Sequence, residues 1–163
     1  MKGTIVRQIE KVKWDGKRVQ IKYSLTDGTD DGVFTLDCTE APRPAFCNAL
    51  SGLGKHVAVI CDMPSDWGKN LIVRGVSFSW RNDIMGATIT ALKPLSARLA
   101  PLVINTPHAP ESPYGSAGED DSSGDSCLLT PALTKALGKL LDEANQYVDG
   151  KRAQGKLFGE AEQ

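Results

Sequence analysis

A chain of 163 residues can bury one hydrophobic core without disulfides or metal clips, and it is too short for several domains of ordinary size. Nineteen Lys and Arg oppose twenty Asp and Glu, so the net charge of -1 excludes a global pull towards nucleic acid or an anionic membrane; any such binding must come from a local patch. No apolar run approaches the roughly 18 residues of a membrane span, so no membrane partner is expected.

The N-terminus, MKGTIVRQIEKVKW, alternates polar and apolar residues as a strand does, instead of building the apolar core of a leader. VQIKYSL puts Val19, Ile21, Tyr23 and Leu25 on one face and Gln20, Lys22 and Ser24 on the other. Asp15-Gly16 before it and Asp27-Gly28 after it are hairpin signals, because glycine accepts the positive φ that such turns demand. GVFTLDCTE, with Phe34, Leu36 and Cys38 on one side, completes a three-stranded antiparallel meander.

In APRPAFCNALSGLG the pattern changes. Pro42 and Pro44 suit a helix start, Phe46, Leu50 and Leu53 follow helical spacing, and Gly52 and Gly54 end the segment. HVAVIC, residues 56–61, extends that helix or forms a buried strand, and Val57, Val59 and Ile60 favour the strand. LIVRGVSFSW and GATITALKPL are strands joined at Arg81-Asn82-Asp83, and Gly75 inside the first signals a bulge or a close backbone approach. PLVINT is the last strand.

Residues 1–107 thus read as an antiparallel β domain with one helix, in the order β-β-β-α-β-β-β. This is an α+β fold, a small barrel or sheet with an OB-like order. Residues 108–127 shift abruptly to Pro, Gly, Ser and acids, the composition of a flexible acidic linker. Residues 128–150 form an amphipathic helix, with Thr130 as N-cap, Pro131 at the first position and Gly150 at the stop. Its stripe is Leu133, Ala136, Leu137, Leu140, Leu141, Ala144 and Val148. That stripe must dock on the β domain or on a second copy, which makes residues 133–148 a candidate homo-oligomer seam. Residues 151–163 are a C-terminal tail.

Catalytic chemistry is thinly represented. His56 and His108 are the only histidines, and neither stands in a hydrolase-like context. Cys38, Cys47, Cys61 and Cys127 contain no C-x-x-C pair, so reduced thiols are expected and no zinc site is implied. Asp27, Asp30 and Asp31 lack the regular ligand alternation of a calcium loop, and no phosphate-loop motif occurs. The reading is a non-enzyme without cofactor.

An OB-like order directs attention to single-stranded nucleic acid, which such folds bind by aromatic stacking beside basic residues. The candidate contacts are Trp14, Lys13, Arg18, Lys22, Arg74, Trp80 and Arg81, with Tyr23, Phe78 and Lys11 nearby. Trp14, next to a turn, is the aromatic most expected at the surface; Tyr23, Phe78 and Trp80 equally suit a core.

The tail carries Gln154, Leu157 and Phe158 as Q-x-x-L-F. This resembles the short peptides by which bacterial polymerases, repair factors and some phage proteins engage the sliding clamp. In that resemblance the glutamine amide is hydrogen-bonded in one subsite and Leu157 and Phe158 fill an apolar pocket. The other reading is a plug that folds back on the helix.

GVSFSW, ATITALKPL, PLVINTPH and DGKRAQGKLF resemble segments of small proteins encoded by tailed phages and prophages. The resemblance covers most of the chain and implies a setting, the cytoplasm of an infected bacterial host, and no catalytic residues. The expected function is an accessory protein of phage DNA replication or recombination that binds single-stranded DNA or a replication protein and docks to the host clamp. The alternative is an anti-defence protein that inhibits a host nuclease or sequesters a signalling nucleotide.

Overall fold

The computed structural model describes residues 6–26, 31–81, 84–96, 100–110 and 129–150. Seven strands and three helices follow one another as β1 (Val6–Trp14), β2 (Val19–Thr26), β3 (Asp31–Cys38), α1 (Pro44–Ser51), α2 (Gly54–Ile60), β4 (Ile72–Arg81), β5 (Ile84–Lys93), β6 (Leu102–Asn105), β7 (Ala109–Pro110) and α3 (Pro131–Val148). A single 3₁₀ turn, Ser65–Lys69, precedes β4.

The sheet is antiparallel throughout, in the order β3-β2-β1-β4-β5-β6, with the short β7 also on β5. The expected α+β class and the meander are present. Barrel closure is not: β3 at one edge and β6 at the other do not pair, so the sheet stays open. Gly16, at φ 95°, makes the β1–β2 turn that Asp15-Gly16 signalled.

Two bulges set which side chains face the core. Glu10 is the extra residue where the β1–β2 register shifts between Ile9 and Lys11, and Arg74 is the extra residue between Val73 and Gly75 on β4. Ile9 and Val12, three apart, therefore both point into the core, as do Val73 and Val76.

That core face is covered by the helices. Phe46 and Leu50 of α1 and Leu53 and Val57 beside and within α2 are buried with Val19, Ile21, Val76 and Ile89 of the sheet. HVAVIC is helical, contrary to the strand that its β-branched residues favour. Leu53 and Val57 lie one helical turn apart and both are fully buried, so packing overrides local preference.

In α3 the side chain of Thr130 accepts from the Leu133 amide at 3.1 Å, the N-cap expected there. Leu133, Leu137, Leu140, Ala144 and Tyr147 are buried against the chain's own β domain. The apolar face of α3 thus packs on the chain's own β domain, the first of the two docking partners that its stripe allowed. The Tyr147 ring lies 5.9 Å from that of Phe46, and its hydroxyl donates to the Glu40 carbonyl at 2.6 Å. At the other end of this contact Arg7 of β1 donates to Asn145 and, at 2.8 Å, to Asp149.

The start of the segment read as a linker is structured. Ala109 and Pro110 are buried beside β5, and the Leu129 amide donates to the Pro110 carbonyl at 2.8 Å. Residues 111–128 and the tail with Gln154, Leu157 and Phe158 lie outside the described residues.

Candidate nucleic-acid interface

The described helices lie on one face of the sheet, no described helix covers the other, and the strand register fixes what that open face displays. One cross-strand row runs Thr88, Ser77, Lys11, Lys22, Thr35, from β5 to β3. The next runs Asn105, Thr90, Gly75, Lys13, Gln20, Asp37, from β6 to β3. Every member but Gly75 carries a hydroxyl, ammonium, amide or carboxylate, and Lys13, Lys22, Thr35 and Ser77 are exposed. Such a face offers hydrogen-bond donors and positive charge to phosphate oxygens.

The face deepens into a pocket of about 390 Å³ where the β1–β2 turn meets the β4 bulge, lined by Lys13, Trp14, Asp15, Arg18, Gln20, Arg74 and Thr90. Gly75 makes the close packing there feasible. A methyl group on it would lie 2.6 Å from the Val12 carbonyl oxygen and 3.0 Å from Cγ of Lys13.

The turn is held by Asp15, whose carboxylate accepts from the Lys17 and Arg18 amides at 2.8 Å each. These two bonds hold the Asp15 pKa below its ordinary value, and the nearby Arg74 charge adds to the effect. Arg18 also meets Asp37 at 3.0 Å, and the Gln20 amide donates to the same carboxylate at 3.2 Å. Thr90 donates to Asn105 at 2.7 Å. The pocket rim is thus tied to β3 on one side and to β6 on the other.

Four of the seven residues singled out for nucleic acid, Lys13, Trp14, Arg18 and Arg74, meet in this one pocket. Lys22 lies on the same face in the neighbouring row, with its ammonium 3.9 Å from Glu10. Trp80 is not brought there. It sits on the core side against Phe78, with ring centroids 6.5 Å apart, and its indole N–H donates to the Ile9 carbonyl at 2.9 Å. Arg81 ends β4, seven residues past Arg74, or roughly 23 Å along the strand.

Tyr23 belongs to the core side as well, stacked on Phe34 at 5.7 Å with the Arg7 guanidinium over its ring. Three pocket residues escaped the sequence reading: Asp15, Gln20 and Thr90. Gln20 could have been found, since it alternates with the buried Val19 and Ile21. His108, expected at the start of a flexible stretch, lies beside β7 with its Nε2 2.6 Å from the Ser79 hydroxyl.

Among the described residues no group of three His, Cys, Asp or Glu side chains converges on a common point. No described helix is long and apolar enough to cross a membrane. No protein-family model, curated protein or solved structure matches the chain.

Proposed function

We propose that this chain is an accessory protein of DNA replication or recombination, of the phage and prophage kind its sequence resembles, which binds single-stranded DNA on the open face of its sheet. The observation that carries the reading is the convergence of Lys13, Arg18 and Arg74 in one pocket whose lining includes Trp14, half-buried with its other side against the core. Cations that neutralise phosphates, next to an aromatic ring on which a base can stack, are what sequence-tolerant binding of a single strand requires. The net charge of -1 is no obstacle, because the cations are gathered on one face and the charge that matters is local.

Binding of a fluorescein-labelled oligo-dT at low salt tests this reading, with loss of affinity expected in Trp14→Ala. Absence of any binding at low salt, where phosphate contacts are strongest, would sink it.

The second half of the proposal is docking to a host sliding clamp through Gln154, Leu157 and Phe158. Support comes from the Q-x-x-L-F spacing and from its place beyond the end of α3, whose last turn Arg7 fastens to β1. An affinity pull-down from host lysate should recover the clamp with the full chain and lose it with the Leu157→Ala, Phe158→Ala double variant. Equal recovery by both would remove the tail from the interaction.

The concavity of the site favours one competing reading. A pocket of about 390 Å³ falls in the range that encloses small ligands, so the same cations and ring suit a signalling nucleotide sequestered by an anti-defence protein. Competition by short cyclic or linear di-nucleotides that outmatches oligo-dT per molecule would select this reading.

A further inference from the structure

Sheet edges carry unpaired backbone N–H and C=O groups, and proteins usually blunt them with lysine, proline, a bulge or a short strand. β3 has none of these. Its sequence, DGVFTLDC, holds no lysine or proline, its eight residues pair with β2 without a register shift, and no described strand lies on its outer side. It exposes large apolar groups on both faces, Val33 at 62% and Phe34 at 48%. A long edge without a bulge and with exposed apolar groups is a template for another strand.

We propose that the occupant is β3 of a second copy, paired antiparallel about a two-fold axis at Thr35 to give one continuous sheet. Directly opposed residues of an antiparallel pair lie on the same face, so a self-pairing register must centre on a residue. Centring on Phe34 would set Gly32 against Leu36 of the copy and leave the aromatic group facing only itself. Centring on Thr35 sets Phe34 against Leu36 twice, beside the Tyr23 ring already stacked on Phe34 at 5.7 Å. Asp37 then opposes Val33, with no like charge directly across from it and its carboxylate engaged by Arg18 and Gln20. An isologous contact of this kind closes on itself, whereas β3 on β6 of the next copy would propagate into a filament.

The register has a functional consequence. Thr35 ends the row Thr88, Ser77, Lys11, Lys22, Thr35, so the two-fold joins that row to its copy. A polar and cationic track of about 19 Å on one chain becomes one of roughly 43 Å on the pair, at ~4.8 Å per strand. The partner thereby supplies half of the track. This consequence rests on the single-stranded DNA reading; the pairing itself does not.

Sedimentation velocity of the full chain should give twice the monomer mass, and Thr35→Lys, which sets an ammonium against its own copy, should shift the protein to monomer with an unchanged circular dichroism spectrum. Thr35→Cys tests the register without relying on disruption. Oxidation should yield a covalent dimer that the wild type, oxidised in parallel to account for its native cysteines, does not form. A monomeric wild type, or a Thr35→Lys protein that remains dimeric and a Thr35→Cys protein that does not cross-link, would overturn the pairing. If the pair forms as described and oligo-dT does not bind, the pairing stands and the DNA reading falls. If oligo-dT binds, the dimer should protect about twice the length that Thr35→Lys protects, and equal lengths would refute the shared track.

Discussion

Gly75 faces Lys13 across β4 and β1 so closely that the lysine stem occupies the space a side chain would need. The backbone is the harder limit, since a methyl at Gly75 would meet the Val12 carbonyl oxygen at 2.6 Å. Gly75→Ala must therefore push β4 away from β1 at the bulge that presents Arg74. We expect a stability loss of about 1–3 kcal/mol in urea unfolding, the range typical of overpacking, together with weaker oligo-dT binding. Unchanged stability would mean that the two strands separate there without strain.

Trp14 and Trp80 should respond in opposite ways. Trp14→Ala is expected to cost about 1–3 kcal/mol of single-strand affinity, the usual worth of a base stacked on an aromatic ring. Trp80→Phe removes the indole donor to the Ile9 carbonyl and should lower stability by roughly 0.5–1.5 kcal/mol with affinity unchanged. Fluorescence-anisotropy titration beside urea unfolding separates the two effects, and a loss of affinity in Trp80→Phe at full stability would contradict the assignment.

Tyr147 joins α3 to the loop after β3 through its bond to Glu40. Tyr147→Phe keeps the ring against Phe46 and deletes only the donor, so a loss of about 0.5–1.5 kcal/mol is expected from thermal melts. Tyr147→Ala adds a cavity beneath α3 and should cost about 3–5 kcal/mol.

Burial, and to a lesser degree the adjacent Lys55 charge, hold the pKa of His56 below its ordinary value. The unfolded chain therefore takes up a proton near pH 6.5 that the folded chain takes up only at lower pH. The contribution is fully present above about pH 6.5 and is lost as pH falls towards the folded value. His56→Gln should flatten this part of the melting-temperature profile below about pH 6.5, and an identical slope in the variant would assign the effect elsewhere.

How far the sequence discloses this molecule depends on where backbone regularity holds. Val19, Ile21 and Tyr23 alternate without interruption, so β2 and the meander around it are readable, and Thr130, Pro131 and Gly150 bound α3 by cap chemistry alone. Strict alternation fails in β1 and β4. It would group Ile9 with Lys11 and Lys13, whereas the extra residue Glu10 turns Ile9 into the core and both lysines onto the open face. The bulge at Arg74 does the same for Val73 and Val76. Composition could gather the basic and aromatic candidates, but register puts Trp14 and Trp80 alike on the core side, and it is the place of Trp14 beside the β1–β2 turn that brings it to the pocket lining. For α2 the sequence leaves helix and strand open for a different reason: Val57, Val59 and Ile60 carry a strand's local preference, and the burial of Leu53 and Val57 that decides for the helix is a tertiary fact.

The central claim is that phosphates are neutralised at the pocket on the open face. Its most direct test is the salt dependence of oligo-dT binding, wild type against the Lys13→Ala, Arg74→Ala double variant. On a single strand each lost phosphate contact should lower the slope of log K against log salt by roughly 0.7, so a reduction of about 1.4 is expected. Equal slopes in the two proteins, or wild-type binding indifferent to salt, would contradict the account and place any nucleic-acid contact elsewhere on the molecule.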